Sequence, residues 1–356
     1  MKLSLWCVLF VLGTIVLGLS FLGQAPSPLQ EEISAPQDFP NPSPPKEPGQ
    51  NREIHSRKGV YLPAPAAANT ALLSEILTQS KKFGLNTVVV DIKNNNGEVC
   101  YSSQVPLAQA AGAVRPLLDL AALVAELHRH GLYVIARQVV FYDPVLAKYL
   151  GAGTAPWVLP TVATAVNYNL AIAKEVESFG VDEIQFDYIR FPDDGPIGPD
   201  YSGRCAEVER FVSKAQDALF VPISVDLFGR VMWPWNAQKI DPIGQHLEGI
   251  ARYVDVISPM LYPSHFVEEE LKADPYQTIM RTMNHGKARV KVPLRPYLQA
   301  FSMAIPAGMT LAEYIVAQVR AAEATGADGY LFWNPRADYT ALWQALAILA
   351  REKRGS

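Results

Sequence analysis

The amino-acid sequence predicts an α/β chain closed into a (β/α)8 barrel, set behind an N-terminal apolar segment and a proline-rich linker. Three observations lead there. From Lys58 onward, eight short β-branched or aromatic runs alternate with helical patterns, as parallel strands joined by crossover helices do. A chain of 356 residues, 49% of them apolar, can bury one core of barrel size. No GxGxxG follows the first run to favour an open dinucleotide-binding sheet.

The eight runs are Gly59–Pro63, Thr87–Asn94, Tyr133–Phe141, Glu183–Phe191, Pro222–Gly229, Val254–Tyr262, Val292–Phe301 and Gly329–Asn334, which places the barrel over residues 58–352. Helix punctuation separates them. Leu72, Leu73, Ile76 and Leu77 form an apolar stripe ahead of Gly84, and the segment Leu117–His130 opens after Pro116 and stops at Gly131. Further helices are expected over 165–179, ending at Gly180, over 310–325, ending at Gly326, and from about Asp338 onward.

Ahead of the barrel, Lys2 precedes an almost uncharged run from Leu3 to Leu22. At 1.5 Å per residue, about twenty residues reach across a bilayer. Residues 1–24 therefore read as a signal anchor holding the chain at a membrane, or as a signal peptide cut near Gly23-Gln24-Ala25 and releasing a secreted protein; either places the barrel outside the cytoplasm. Residues 25–57, rich in Pro, Ser, Gln and Glu and without an apolar period, read as a disordered tether.

The formal charge of −4, with no basic block, gives no footprint for nucleic acid. Of the three cysteines, Cys7 lies in the apolar run, and Cys100 and Cys205 would form a disulfide only if the fold brought them together. No CxxC or Cys/His cluster indicates a metal, the six histidines show no ligand spacing, and no cofactor is expected.

Barrel active sites lie at the C-terminal ends of the strands, so the polar residues there are the candidates. Side chains alternate along a strand. Gln185 and Asp187 therefore oppose Ile184 and Phe186, Ser224 and Asp226 oppose Ile223, Val225 and Leu227, and Asp91 and Lys93 oppose Val88, Val90 and Ile92. Three acids thus point into the barrel mouth. Glycoside hydrolysis needs one carboxyl group to protonate the leaving oxygen and another to act as nucleophile or base. Asp187 and Asp226 are the first candidates, with Asp91 in reserve as the acid or as a hydroxyl ligand. Lys93, Arg137, Gln185, Arg190, Tyr262, Tyr297, Gln299, Trp333 and Asn334 are expected to bind substrate, since aromatic rings stack on sugar faces while amides and charges hold hydroxyls. Tyr142, Trp157, Trp233 and Trp235 extend the cleft in the loops. These residues also have structural readings: Asp187 bonded to Arg137 or Arg190, Asp91 paired with Lys93, and Tyr262, Tyr297 and Trp333 capping the core. Asp182 and Glu183 stand at the start of the fourth run and belong to the stability end of the barrel.

The segment Gly180-Val-Asp-Glu-Ile-Gln-Phe-Asp187-Tyr-Ile-Arg-Phe-Pro192 resembles the fourth-strand signature of a glycoside-hydrolase-like family catalogued as a domain of unknown function. Lys58–Leu62, Val90–Lys93, Ala136–Phe141, Tyr168–Ala171 and Ser258–Pro263 resemble it too, so the similarity spans about residues 58–340. It implies a TIM barrel with glycosidase activity, more distantly similar to barrels that act on cell-wall glycans. Against the DxxDxDxE pattern of family 18 chitinases, Asp182, Gln185, Asp187 and Ile189 stand at the corresponding positions, so the terminal Glu is missing. The stretch 151–166 also lacks the polar Trp-Val-Asn-Pro segment expected after the third strand.

Three functions follow. The first is an extracytoplasmic glycoside hydrolase acting on a cell-surface or exported polysaccharide or a cell-wall glycan. The second is a catalytically silent barrel that binds glycans. The third, a metal-dependent deacetylase or amidase, needs His and Asp ligands at the strand ends, and only the Asp part is present.

Overall fold

A computed structural model describes residues 56–193 and 200–355. Residues 1–24 and nearly all of 25–57, expected to be the membrane or signal segment and the linker, lie outside the described residues. Among the described residues no helix is long and apolar enough to cross a membrane.

Eight parallel strands close into a barrel: β1 (Arg57–Leu62), β2 (Thr87–Lys93), β3 (Tyr133–Val139), β4 (Glu183–Asp187), β5 (Ile223–Phe228), β6 (Val256–Leu261), β7 (Tyr297–Gln299) and β8 (Gly329–Trp333). Each strand pairs with its neighbours in sequence, and β8 closes on β1 with Arg57 opposite Gly329. All eight strands lie within the expected runs or begin a residue or two outside them; Arg57, assigned to the linker, already opens β1.

Alternation divides the core. Val60, Leu62, Val88, Val90, Ile184, Phe186, Ile223, Val225 and Leu227 face the helices and join one large apolar layer. Tyr61, Val89, Ile135, Tyr262, Tyr297 and Leu331 fill the barrel interior. Toward the N-terminal end, Glu183 and Arg295 form a buried ion pair, with a second bond of 3.2 Å between Nη1 and Oε2. Tyr133 donates to the same carboxylate at 3.2 Å. Glu183 thus belongs to the supporting end of the barrel, as expected.

Helix 70–83 is capped by Asn69 and ends on left-handed Gly84, and helix 311–324 begins with a Thr310–Glu313 capping box. Cys100 and Cys205 are both free and buried.

Candidate active site

A cavity of about 990 Å³ opens at the C-terminal end of the barrel, with Arg137, Asp187, Asp226 and Trp333 at its floor. Arg137 organises that floor. It projects from the middle of the interior, where a lone guanidinium would be very costly, and three carboxylates from three neighbouring strands surround it. Its Nη1 donates to Asp91 Oδ1 at 2.6 Å, its Nη2 and Nε donate to Asp187 Oδ2 at 2.5 and 3.1 Å, and Nε lies 3.8 Å from Asp226 Oδ2. Although burial disfavours its charge, Asp91 and Asp187 hold Arg137 firmly protonated.

The three acids differ. Asp91 is gripped from two sides, since Tyr61 Oη donates to its second oxygen at 2.6 Å. Burial raises its pKa against the pull of Arg137 and that hydrogen bond. Asp187 gives Oδ2 to Arg137 and accepts the Tyr188 amide on Oδ1 at 2.6 Å. Asp226 is 0% exposed, and neither of its oxygens has a hydrogen-bond partner among the described residues. Burial first and the Asp187 charge second push its carboxyl well above the usual carboxylate range, outweighing Arg137. Asp226 therefore borders the cavity as a buried carboxyl pushed toward its neutral form, with both oxygens closed off from water. Asp187 and Asp226 are neighbours across the Arg137 Nε, which lies 3.1 Å from Oδ2 of the first and 3.8 Å from Oδ2 of the second.

The walls are aromatic. Trp333 stacks on Tyr61 with centroids 3.8 Å apart and lies 4.9 Å from the Arg137 guanidinium. Tyr188, directly after Asp187, has φ of 54°, a conformation that a bulky side chain adopts only at a cost of about 1–3 kcal/mol and that is concentrated at functional sites. That turn sends its ring into the cavity, where Asn95 Nδ2 reaches its hydroxyl at 3.4 Å. Tyr262 also lines the cavity, and burial above all raises its phenol pKa well above the usual value.

Of the expected site residues, the structure gathers Asp187, Asp226, Arg137, Arg190, Tyr262 and Trp333 around one cavity, with Trp233 and Trp235 farther out. Arg190 packs over Trp157 at 4.6 Å and pairs with Asp193 at 2.8 Å. Asp91 sits just beneath the cavity wall, behind Arg137.

Five residues expected to bind substrate are placed elsewhere. Lys93 leaves the barrel mouth because the β2–β3 register shifts between Asp91 and Lys93, which cancels its parity. It is fully buried, pairs with Asp143 at 2.7 Å rather than with Asp91, and donates to Val139 O at 2.8 Å. Gln185 and Tyr297 do point inward, but at a deeper level: Tyr297 donates to Gln185 Oε1 at 2.6 Å and Gln185 to Ser258 at 3.2 Å, so they bond each other under the floor. Gln299 is spent on loop backbone, donating to Phe301 O and Met303 O. Asn334 likewise ties Ala300 O to Asp338 O. Tyr142 and Trp157 pack edge-to-face with each other, and both rings lie within 6 Å of Tyr188.

Sequence reasoning did not single out Tyr61, Asn95 or Phe228. Tyr61 was within reach of the alternation rule, since Val60 and Leu62 on either side face the helices. Among the described residues, no three His, Cys, Asp or Glu side chains converge as metal ligands.

A closed eight-stranded barrel with carboxyl groups at its C-terminal mouth is an architecture that glycoside hydrolases share with many other enzymes. Residues 59–339 match the protein family described as "putative glycosyl hydrolase domain", and the chain belongs to that family. No curated protein matches the chain. Among solved structures it is similar to the glycoside hydrolase domain of PgaB (BpsB) from Bordetella bronchiseptica, with 14% identity, 82% of this chain and 97% of that one covered, and a TM-score of 0.62. It is also similar to an endo-β-1,4-mannanase from Thermotoga petrophila, with 12% identity, coverages of 85% and 77%, and a TM-score of 0.59. The spore cortex-lytic enzyme SleL of Bacillus megaterium aligns at 11% identity, with coverages of 83% and 75% and a TM-score of 0.52. At these identities the likeness is one of fold.

Proposed function

We propose that the chain hydrolyses the glycosidic bonds of a cell-surface or exported polysaccharide, with Asp226 as proton donor and Asp187 as the carboxylate that meets the anomeric carbon. The observation that carries this reading is the unlike state of two neighbouring carboxyl groups. Among the described residues Asp226 has no cation closer than 3.8 Å and is pushed toward its neutral form, whereas Asp187 is ion-paired at 2.5 Å. Unlike environments are how one site supplies an acid and a base together. The Asp226 proton passes to the glycosidic oxygen as the bond from that oxygen to the anomeric carbon breaks. Asp187 faces the positive charge that develops on the ring, and water then adds to the anomeric carbon and returns a proton to Asp226. The apolar run Leu3–Leu22 supports placement outside the cytoplasm, anchored or secreted.

A second reading, a glycan-binding barrel without catalysis, is favoured by the full engagement of Asp187 and the closure of the Asp226 oxygens from water. Reducing-sugar release from a panel of cell-wall glycans and exopolysaccharides by the full chain, beside Asp187→Asn and Asp226→Asn, separates the two. Release lost in both variants supports hydrolysis. Binding without release from any glycan by the unmutated chain supports the silent barrel.

A further inference from the structure

The cavity is lopsided. Among the described residues, the loop after β2 contributes only Asn95 to its lining, β3 only Arg137 and β8 only Trp333, and most of the remainder comes from the segments that follow β5 and β6. On that side it widens between four aromatic rings, Phe228, Trp233, Trp235 and Phe266, and the 85% exposed Val267. Trp233 is held in place: its indole N–H donates to Thr282 Oγ1 at 3.0 Å, its ring lies 4.4 Å from that of His285, and the Arg281 guanidinium lies 5.1 Å from its centre. Trp235, 51% exposed, extends the same wall into solvent. Large apolar side chains left in water beside a polar cleft mark a binding surface.

Charge narrows what that surface takes. Four guanidinium groups border the cavity and each has an acid of its own: Arg137 with Asp187, Arg190 with Asp193 at 2.8 Å, Arg230 with Asp241 at 2.6 Å, and Arg281 with Glu270 at 3.3 Å. Of the remaining described acids at the cavity, Asp226 is fully buried and exposed Glu268 stands alone. A cleft that selects polyanions or polycations is lined by one sign of charge. This one is close to balanced, while its paired ions still offer donors and acceptors to hydroxyl groups.

We propose that the side of the cavity between the β5 and β6 segments binds several consecutive sugars of an electrically neutral polysaccharide, with Trp233 and Trp235 stacking on sugar faces. The proposal deepens the functional reading above and rests on its glycan-binding part. The test uses the full chain carrying Asp187→Asn, which suppresses turnover, and follows tryptophan fluorescence with cellohexaose, mannohexaose and N-acetylchitohexaose as neutral probes and with hexagalacturonate and chitosan hexamer as charged ones. At least one neutral hexamer is expected to bind tenfold or more tighter than either charged one, with little change between 0.1 and 1 M NaCl. Adding Trp235→Ala is expected to weaken that binding about tenfold, the scale of one lost ring-stacking contact. Trp235 is exposed, so its removal leaves folding intact, which the unfolding temperature verifies. Tighter binding of a charged hexamer, binding of none of the neutral ones, or unchanged affinity in Trp235→Ala overturns the proposal. Reducing-end release by the unmutated chain, measured in parallel, reports on hydrolysis separately. Release with an unaltered KM in Trp235→Ala sinks the stacking wall alone, whereas tight neutral binding without release sinks only the hydrolase reading.

Discussion

Replacing Asp226 by Asn tests the state of the acid at the cavity floor without needing a substrate. Asn copies the size and neutrality of a protonated carboxyl, and the native group has no hydrogen bond among the described residues to lose. An acid whose pKa is raised in the folded state contributes stability that is fully present below its unfolded value of about 4 and is lost as pH rises through the folded value. Asp226 is raised well above the ordinary range by burial and by Asp187, so the wild type should lose about 1.4 kcal/mol per pH unit relative to the variant throughout that window. Urea unfolding of both proteins at pH 5, 6 and 7 measures the difference. The variant should gain on the wild type as pH rises from 5, by up to about 1.4 kcal/mol for each pH unit. Two stability curves that stay parallel, or a wild type that gains on the variant, would show that Asp226 is a carboxylate in the native state and would remove it as proton donor.

Arg137→Met strands Asp91 and Asp187 together, and a loss of about 3–5 kcal/mol in denaturant unfolding is expected; a loss below about 1 kcal/mol would mean that the ion pairs are incidental. Lys93→Met leaves Asp143 buried without its cation at a similar cost, and Asp143→Asn in the same chain should recover most of it while keeping the cap on helix 144–150. Absence of that recovery would show that Lys93 stabilises by packing alone. Tyr61→Phe keeps the ring against Trp333 but removes the hydrogen bond to Asp91, and should cost about 1.5–3 kcal/mol by the same measurement.

Strand alternation carried most of what could be read ahead of the structure. Ile184 and Phe186 against Gln185 and Asp187, and Val225 and Leu227 against Ser224 and Asp226, sort correctly because β4 and β5 run without a break in register. The same rule misplaced Lys93, because a local register shift is a property of the β2–β3 pair and neither strand's sequence displays it. Depth is the second thing that alternation does not encode. Tyr297 and Gln185 point inward as expected, yet their height along the barrel axis puts them under the floor rather than on it. Gln299 and Asn334 stand at strand ends with the right chemistry, but the loops beside them present backbone carbonyls that take up their amides. Arg295 finds Glu183 across 112 positions of chain, a pairing that only closure of the barrel creates.

The arrangement around Arg137 has a consequence for transplanting this site. The guanidinium stands on β3, its acids on β2, β4 and β5, and the phenol that steadies Asp91 on β1. Five consecutive strands therefore form the smallest portable unit. A chimera that carries the conspicuous fourth-strand segment alone into another barrel would import an acid without its counter-ion and a strained tyrosine with nothing to hold it. Exchange of the first five strands with their helices, cut after β5, is the shortest graft that moves the chemistry and its support together.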